Sequence, residues 1–309
     1  MKLDKTAVLA LFLSGLALIS GCSTNSEIEE ESTTPENTTS ESSPVVTPDE
    51  NSSRVESADG SSIFYDSRGE GDVTLVFVHC WTCNSEFWQP QIDYFARDYR
   101  VVWLDLAGHG KSSSQRQEYT MSAFGNDVAA VVDRVGADRV VLVGHSMGGP
   151  VVIEAAKLLG DRVIGIVGVD TFYTPFEFDT SEEKIQAFVQ PFKEDFQGAS
   201  EQLVQSMFTP KADPEVVSYI IEKMGSVDRE MAVSALYEIF RWRADSEPSD
   251  LPQYADKLRN INGAFTGEEN PLHESVVLIP EVGHFVAQVK PDEFNQALEE
   301  ILAKYSGDS

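Results

Sequence analysis

Basic side chains are scarce: 23 Lys and Arg stand against 51 Asp and Glu, a formal net charge of −28 over 309 residues. That balance excludes nucleic acid as a partner and disfavours anionic headgroups and polyanionic substrates. The chain also lacks a long apolar run. Its longest, Ala7 to Ile19, is too short to cross a bilayer comfortably. Cysteine and histidine are few, at 3 and 5. Cys80 and Cys83 form a C-x-x-C, but no second Cys/His pair accompanies it and no thioredoxin-like strand and helix surrounds it, which argues against metal or redox chemistry. No internal repeat is present. What the chain does have is apolar mass: 41% hydrophobic residues, with 17 Phe and 4 Trp, fill a core, so the charge does not mean wholesale disorder.

The first 54 residues differ from the rest. Lys2 and Lys5 precede the Ala7–Ile19 run, the arrangement of a signal peptide. It closes on Leu18-Ile19-Ser20-Gly21-Cys22, which resembles a bacterial lipobox, where cleavage before the Cys is followed by lipidation of its thiol. The alternative is a plain secretory signal with a chance Cys. Ser23 to Ser53 is Ser, Thr, Glu, Pro and Asn with almost nothing to bury, a flexible acidic tether. The expected organisation is therefore a leader over 1–21, a tether over 22–54 and one catalytic domain over 55–309. By the same resemblance, Cys22 carries a membrane anchor, and Ser23 after it favours the outer membrane, facing the periplasm, if the host has one. Residues 1–54 hold 9 acidic and 3 basic side chains, leaving 42 against 20 and a net charge of −22 for the domain. That surface is similar to those of proteins from salty habitats, and equally to an ordinary acidic secreted protein.

Within the domain, Val55 to Tyr65 contains Asp59-Gly60 between alternating residues and reads as an edge hairpin. Val-rich apolar runs follow at Val73–Val78, Arg100–Leu104, Val140–Val143, Val163–Val169 and Val276–Ile279, with a weaker one at Leu258–Phe265. Such runs are strands buried on both faces. Helical patterns lie between them at Glu86–Ala96, Met121–Val135, Met147–Leu159 and Asp292–Lys304. Alternating strands and helices predict an α/β fold with a mostly parallel, doubly wound sheet. The rhythm breaks from Thr171 to about Tyr254, where four helix-like stretches carry Phe188, Phe192, Phe196, Tyr219, Tyr237 and Phe240. This is a helical cap of about 171–255 inserted after the sixth strand. Its aromatics read first as core, and second as one wall of a pocket.

The strand Val140–Val143 runs into Gly144-His145-Ser146-Met147-Gly148-Gly149 and then a helix, the G-x-S-x-G arrangement in the context that gives it meaning. Small residues at 144 and 148 let the chain reverse tightly, and the helix start offers free N–H groups to an oxyanion. Ser146 is the expected nucleophile. Of the five His (79, 109, 145, 273 and 284), His284 follows the last strand, giving the chain order Ser, acid, His. His145 should point away across the turn, His79 and His109 end earlier strands where bracing is the commoner role, and His273 sits in a surface loop.

Taken together these segments resemble the α/β-hydrolases with an inserted cap, over about Ile63 to Lys304. Val76-Phe77-Val78-His79-Cys80-Trp81 is similar to the family's strand followed by His-Gly-x, and Asp105-Leu106-Ala107-Gly108-His109-Gly110-Lys111-Ser112 to its D-x-x-G-x-G-x-S loop. The resemblance implies that the N–H groups of Trp81 and Met147 form the oxyanion hole. Cys80 stands where the family has Gly. Cys80 and Cys83 are open to three readings: a disulfide bracing the oxyanion loop, two free apolar thiols, or redox or metal chemistry. In the family the acid follows the strand after the cap, yet here that stretch reads Ile261-Asn262-Gly263-Ala264, with Ala at the acid's place. Asp170, after the strand Val163–Val169, is preferred because some relatives place the acid there; Glu268 or Glu269 remain alternatives. Trp81, Phe172, Tyr173 and Phe285 are expected near the pocket and suit an apolar group. The expected activity is hydrolysis of a small apolar carboxylic ester or lactone through an acyl-enzyme, with no metal or organic cofactor implied. Rival readings are an inactive ligand-binding lipoprotein of the same fold and an acyltransferase using the same site.

Overall fold

The structure, a computed structural model, describes residues 53–114, 116–175, 178–265 and 270–306. The expected leader, Cys22 and nearly all of the tether lie outside the described residues, and so do Glu268 and Glu269. Eight strands form one sheet among the described residues: β1 Ser53–Glu56, β2 Ser62–Arg68, β3 Thr74–Val78, β4 Arg100–Leu104, β5 Val140–His145, β6 Val163–Val169, β7 Leu258–Ala264 and β8 Val276–Pro280. Their order is β1-β2-β4-β3-β5-β6-β7-β8. β1 and β2 are the antiparallel edge hairpin, turning at Gly60 with φ +84°, and every pairing from β4 to β8 is parallel.

The Val-rich strands are central because both faces of the sheet are covered. Leu75, Phe77, Val141, Val143 and Val167 pack with Ile92 and Phe95 of α1 (Gln89–Phe95) and with Phe294, Leu298 and Ile301 of α8 (Pro291–Ser306). The alternate residues Val76, Val78, Val140, Leu142 and Ile166 pack the other way. Their partners are Phe124 and Val128 of α2 (Met121–Val135) and Val151, Val152 and Ala155 of α3 (Gly148–Leu159). Burying each such side chain is worth about 1.5–3 kcal/mol, which is what holds period-two strands between two helical layers. α2 is bounded by its sequence: the Thr120 side chain accepts from the Ala123 N–H, and Gly136 closes the helix at φ +64°. The stretch expected as one helix from Glu86 is instead a 3₁₀ turn, Ser85–Trp88, followed by α1. Pro90 has no N–H to give and sits in α1's first turn, so the α-helical bonds begin there.

The cap follows β6 as expected, with α4 Glu182–Glu194, α5 Phe196–Ser206, α6 Pro214–Gly225 and α7 Arg229–Asp245. Three of these helices begin on acidic caps: Asp195, Asp213 and Asp228 accept from the N–H groups of Gly198, Glu215 and Met231. Part of the chain's acidity is therefore structural. Phe178, Phe188, Phe192 and Phe240 pack ring against ring, so the aromatic stripes are chiefly the cap's own core. Tyr219 alone of the six named aromatics is exposed, at 44%.

Three histidines are built into the interior beside the strand ends. His79 Nδ1 donates to the Cys80 carbonyl while Nε2 accepts from the Leu106 N–H, roles that require a neutral ring. His109 lies against His79 with ring centres 4.9 Å apart, and His145 Nε2 donates to the His284 carbonyl. Burial pushes all three below the ordinary histidine value of 6.5. Below that pH an unfolded chain takes up protons that the folded rings refuse, so the stability they supply is full above 6.5 and falls as the pH drops. Urea denaturation should show a loss between pH 7.5 and 5 of up to about 1.4 kcal/mol per pH unit for each ring. A flat profile over that range would show that the rings are not held neutral.

Candidate active site

The C-terminal ends of β3, β5, β6 and β7 lie side by side, with Val78 opposite Gly144, Gly144 opposite Gly168 and Val169 opposite Ile261. Everything chemically pointed in the sequence emerges at this edge. Ser146 follows β5 in a left-handed conformation, φ +54°, which a residue with a Cβ adopts at a cost of about 1–3 kcal/mol. Three hydrogen bonds enforce it. The Ser146 N–H donates to Val169 O at 2.9 Å, and its carbonyl accepts from the Gly149 N–H at 2.9 Å and from Thr171 Oγ1 at 2.8 Å. The glycines are sterically required: a Cβ on Gly144 would stand 2.3 Å from the Gly148 carbonyl oxygen, and one on Gly148 2.6 Å from that of Val78. Ser146 is partly exposed between buried neighbours on both sides, and its hydroxyl has no hydrogen-bond partner among the described residues.

His284 and Asp170 meet at the same edge. Nδ1 of His284 lies 2.5 Å from Asp170 Oδ2, and the other carboxylate oxygen accepts from the Gly263 N–H at 3.0 Å. Because the carboxylate accepts, Nδ1 carries the proton, and Nε2 keeps a lone pair for use as a base. Asp170 itself is held left-handed, φ +44°, by its N–H bond to Ile261 O at 3.0 Å. The loop of His284 is fastened to the turn of Ser146 through His145, whose ring stands 4.9 Å from that of His284 and whose Nε2 holds the His284 carbonyl at 2.9 Å. Of the proposed acids, the structure brings Asp170 to the imidazole, and Ala264 sits buried at the end of β7.

Met147 belongs to the Ser146 turn, and Trp81 to the loop after β3, the strand paired with β5. Met147 precedes α3, so its N–H is one of the unpaired donors of that helix start, and Trp81 follows β3 by three residues. Neither N–H has a partner among the described residues. Cys80 and Cys83 are joined in a disulfide, Cα to Cα 5.2 Å, deciding between the readings left open by their spacing.

The expected pocket residues divide. Phe172 and Phe285 are fully buried, so they brace the site from behind and do not line it: Phe172 packs on Trp242, and Phe285 stacks on Phe208 with centroids 4.9 Å apart. Adjacency in the chain to Asp170 and His284 was a poor guide, because beyond the ends of β6 and β8 the loop path, not a fixed period, sets where each side chain points. Tyr173 does line a cavity, of about 510 Å³, together with Phe178, Arg243, Glu247, Leu251 and Pro252. Three contributors carried no distinguishing sequence signal. Thr171 holds the Ser146 carbonyl, Gly263 holds Asp170, and Met207 of the cap accepts from the His284 N–H at 3.0 Å.

The comparisons agree with this architecture. Residues 73–215 match the family described as the alpha/beta hydrolase fold. A bifunctional esterase/perhydrolase of Acinetobacter calcoaceticus is 39% identical over 97 residues, which are 31% of this chain and 35% of that protein. The chain thus spans about a third of the length of that relative. A pimeloyl-[acyl-carrier protein] methyl ester esterase of Pectobacterium atrosepticum is 26% identical over 261 residues, 76% of this chain and 96% of the relative. Among solved structures, a thermophilic esterase of Thermogutta terrifontis superposes with a TM-score of 0.70 at 22% identity, covering 82% of this chain and 99% of that one. With its parallel sheet, its glycine-bounded turn at Ser146 and its cap after β6, the chain has the α/β-hydrolase fold.

Proposed function

We propose that this protein is a serine hydrolase that cleaves a small apolar carboxylic ester or lactone, using Ser146 as nucleophile, His284 as base and Asp170 as acid. The observation that carries the reading is the Asp170–His284 pair at 2.5 Å beside a left-handed Ser146 on one sheet edge. The esterase names of the relatives support the bond type, and the fold supports the chain order of the three residues.

In the proposed reaction His284 Nε2 takes the Ser146 proton as the oxygen attacks the substrate carbonyl. The N–H groups of Trp81 and Met147 receive the developing oxyanion, an arrangement in which each donor is worth about 10²–10³ in rate. Asp170 keeps the proton on Nδ1 and stabilises the imidazolium. The imidazolium then returns its proton to the leaving alcohol. Water, deprotonated by the same nitrogen, releases the acid and restores Ser146. A Ser at the turn disfavours the epoxide and haloalkane chemistries that use Asp there. The apolar substrate preference rests on Tyr173, three residues after Asp170 in the chain, which lines a cavity with Phe178, Leu251 and Pro252.

Export and lipid anchoring at Cys22 belong to the same proposal, and the Cys80–Cys83 disulfide supports an oxidising compartment. Two measurements test these readings. Against a panel of chromogenic esters and lactones, Ser146→Ala should abolish turnover and Asp170→Asn should lower kcat about 10⁴-fold, with Glu268→Gln and Glu269→Gln close to wild type. Full activity in Ser146→Ala, or a large loss confined to Glu268→Gln, contradicts the assignment. For the anchor, Cys22→Ala should move the protein from the membrane to the soluble fraction, and a variant that still sediments with membranes would sink that part.

A further inference from the structure

The disulfide between Cys80 and Cys83 closes a small ring containing Trp81 and Thr82. Resting on the serine-hydrolase reading, that ring contains one of the two oxyanion donors, the Trp81 N–H. The backbone inside the ring is not one the chain would keep unaided. Thr82 is β-branched and held at φ +56°, a region such residues avoid. Its hydroxyl is buried with no partner among the described residues, so the side chain supplies no hydrogen bond to hold the turn. The Trp81 indole is fixed elsewhere: Nε1 donates to Ala232 O of α7 at 2.8 Å, and the ring meets Phe192 and Phe196 edge-on. That anchors the side chain, while the direction of the peptide N–H is set by ψ of Cys80 and φ of Trp81, both inside the ring.

Two weaker ties act on the same loop. The Cys80 carbonyl accepts from the Cys83 N–H at 3.2 Å and from His79 Nδ1 at 2.8 Å. Both sulfurs are buried, with Cys80 and Cys83 each 2% exposed. Cys22, the remaining cysteine of the chain, lies 58 positions away in sequence from Cys80 and is assigned to lipidation, leaving the pair without a competing thiol.

We propose that the Cys80–Cys83 disulfide is the positioning element that aims the Trp81 N–H at the oxyanion, so that the hydrolase is fully active only in its oxidised form. Reduction by a dithiol would proceed by thiolate attack on one sulfur and ring closure of the reductant. One S–S bond breaks and two S–H groups form on the protein, and the reductant leaves as its own disulfide with two electrons and two protons transferred. With the ring open, Thr82 would relax toward negative φ, and the Cys80–Trp81 peptide would be free to turn about Cys80 ψ and Trp81 φ, taking the Trp81 N–H out of line. A donor used only in the transition state should be lost from kcat and not from KM.

The experiment compares the full chain in four forms on one chromogenic ester: oxidised wild type, wild type reduced with dithiothreitol, Cys83→Ser, and Cys80→Ser with Cys83→Ser. Thiols are counted by alkylation and mass, and melting temperature is recorded for each. The expected result is a loss of about 10- to 100-fold in kcat, with KM within twofold, in the reduced and substituted forms, and no further effect of dithiothreitol on the variants. Retention of kcat within twofold in forms with two free thiols overturns the proposal, and so does a loss that falls on KM alone. If the variants fail to melt cooperatively, the reduced wild type decides. Oxidised wild type that neither turns over nor reacts with a fluorophosphonate defeats the serine-hydrolase reading itself, whereas active oxidised enzyme indifferent to reduction defeats this inference only.

Discussion

The contact on which the site depends is the close approach of Gly144 to Gly148 at the end of β5, where no side chain fits between strand and helix. It forces the chain to reverse over Ser146, and the reversal puts that residue into left-handed backbone. The strain is held because independent elements grip the turn: β6 through Val169 O, α3 through the Gly149 N–H, and Thr171 through its hydroxyl. A side chain held this way would meet a reaction partner with little reorganisation, which is the physical content of preorganisation.

The cap is tied into this edge at several points. Trp81 reaches Ala232, Arg243 Nη2 donates to Thr171 O at 2.8 Å, and the His284 N–H holds Met207 O. These bonds attach the cap to the loop that carries Trp81, to the neighbour of Asp170 and to His284. Behind the edge, buried His79 and His145 brace loops through their ring nitrogens and His109 packs on His79, which accounts for three of the five histidines near the site.

The sheet was legible in the sequence because strands covered on both faces need continuous Val-rich runs, and each run became a strand at nearly its expected bounds. The placement of Ser146 and His284 at one sheet edge was legible for a related reason, since local context, a strand before and a helix after, fixes where they emerge. The carboxylate partner of His284 was legible only as a preference for Asp170, because the choice between Asp170 and the loop after β7 depends on how β6 registers against β7. Only that pairing, Val169 opposite Ile261, sets the Asp170 carboxylate beside the Gly263 N–H and within reach of His284. The pocket residues failed in the other direction: Phe172 and Phe285 adjoin the right residues in the chain, yet both turn into the core. Spacing could not tell a disulfide from two free thiols at Cys80 and Cys83, because a C-x-x-C permits either and the turn at Thr82 is a property of the folded loop.

The central claim is a covalent intermediate on Ser146, and trapping it is the most direct measurement. Mixing the protein with an activated aromatic ester, quenching in acid within the first turnover and mapping peptides by mass should place the acyl group on the peptide that contains Ser146. Turnover with an acyl adduct on another residue, or with no adduct under conditions where deacylation is slow, would contradict the account.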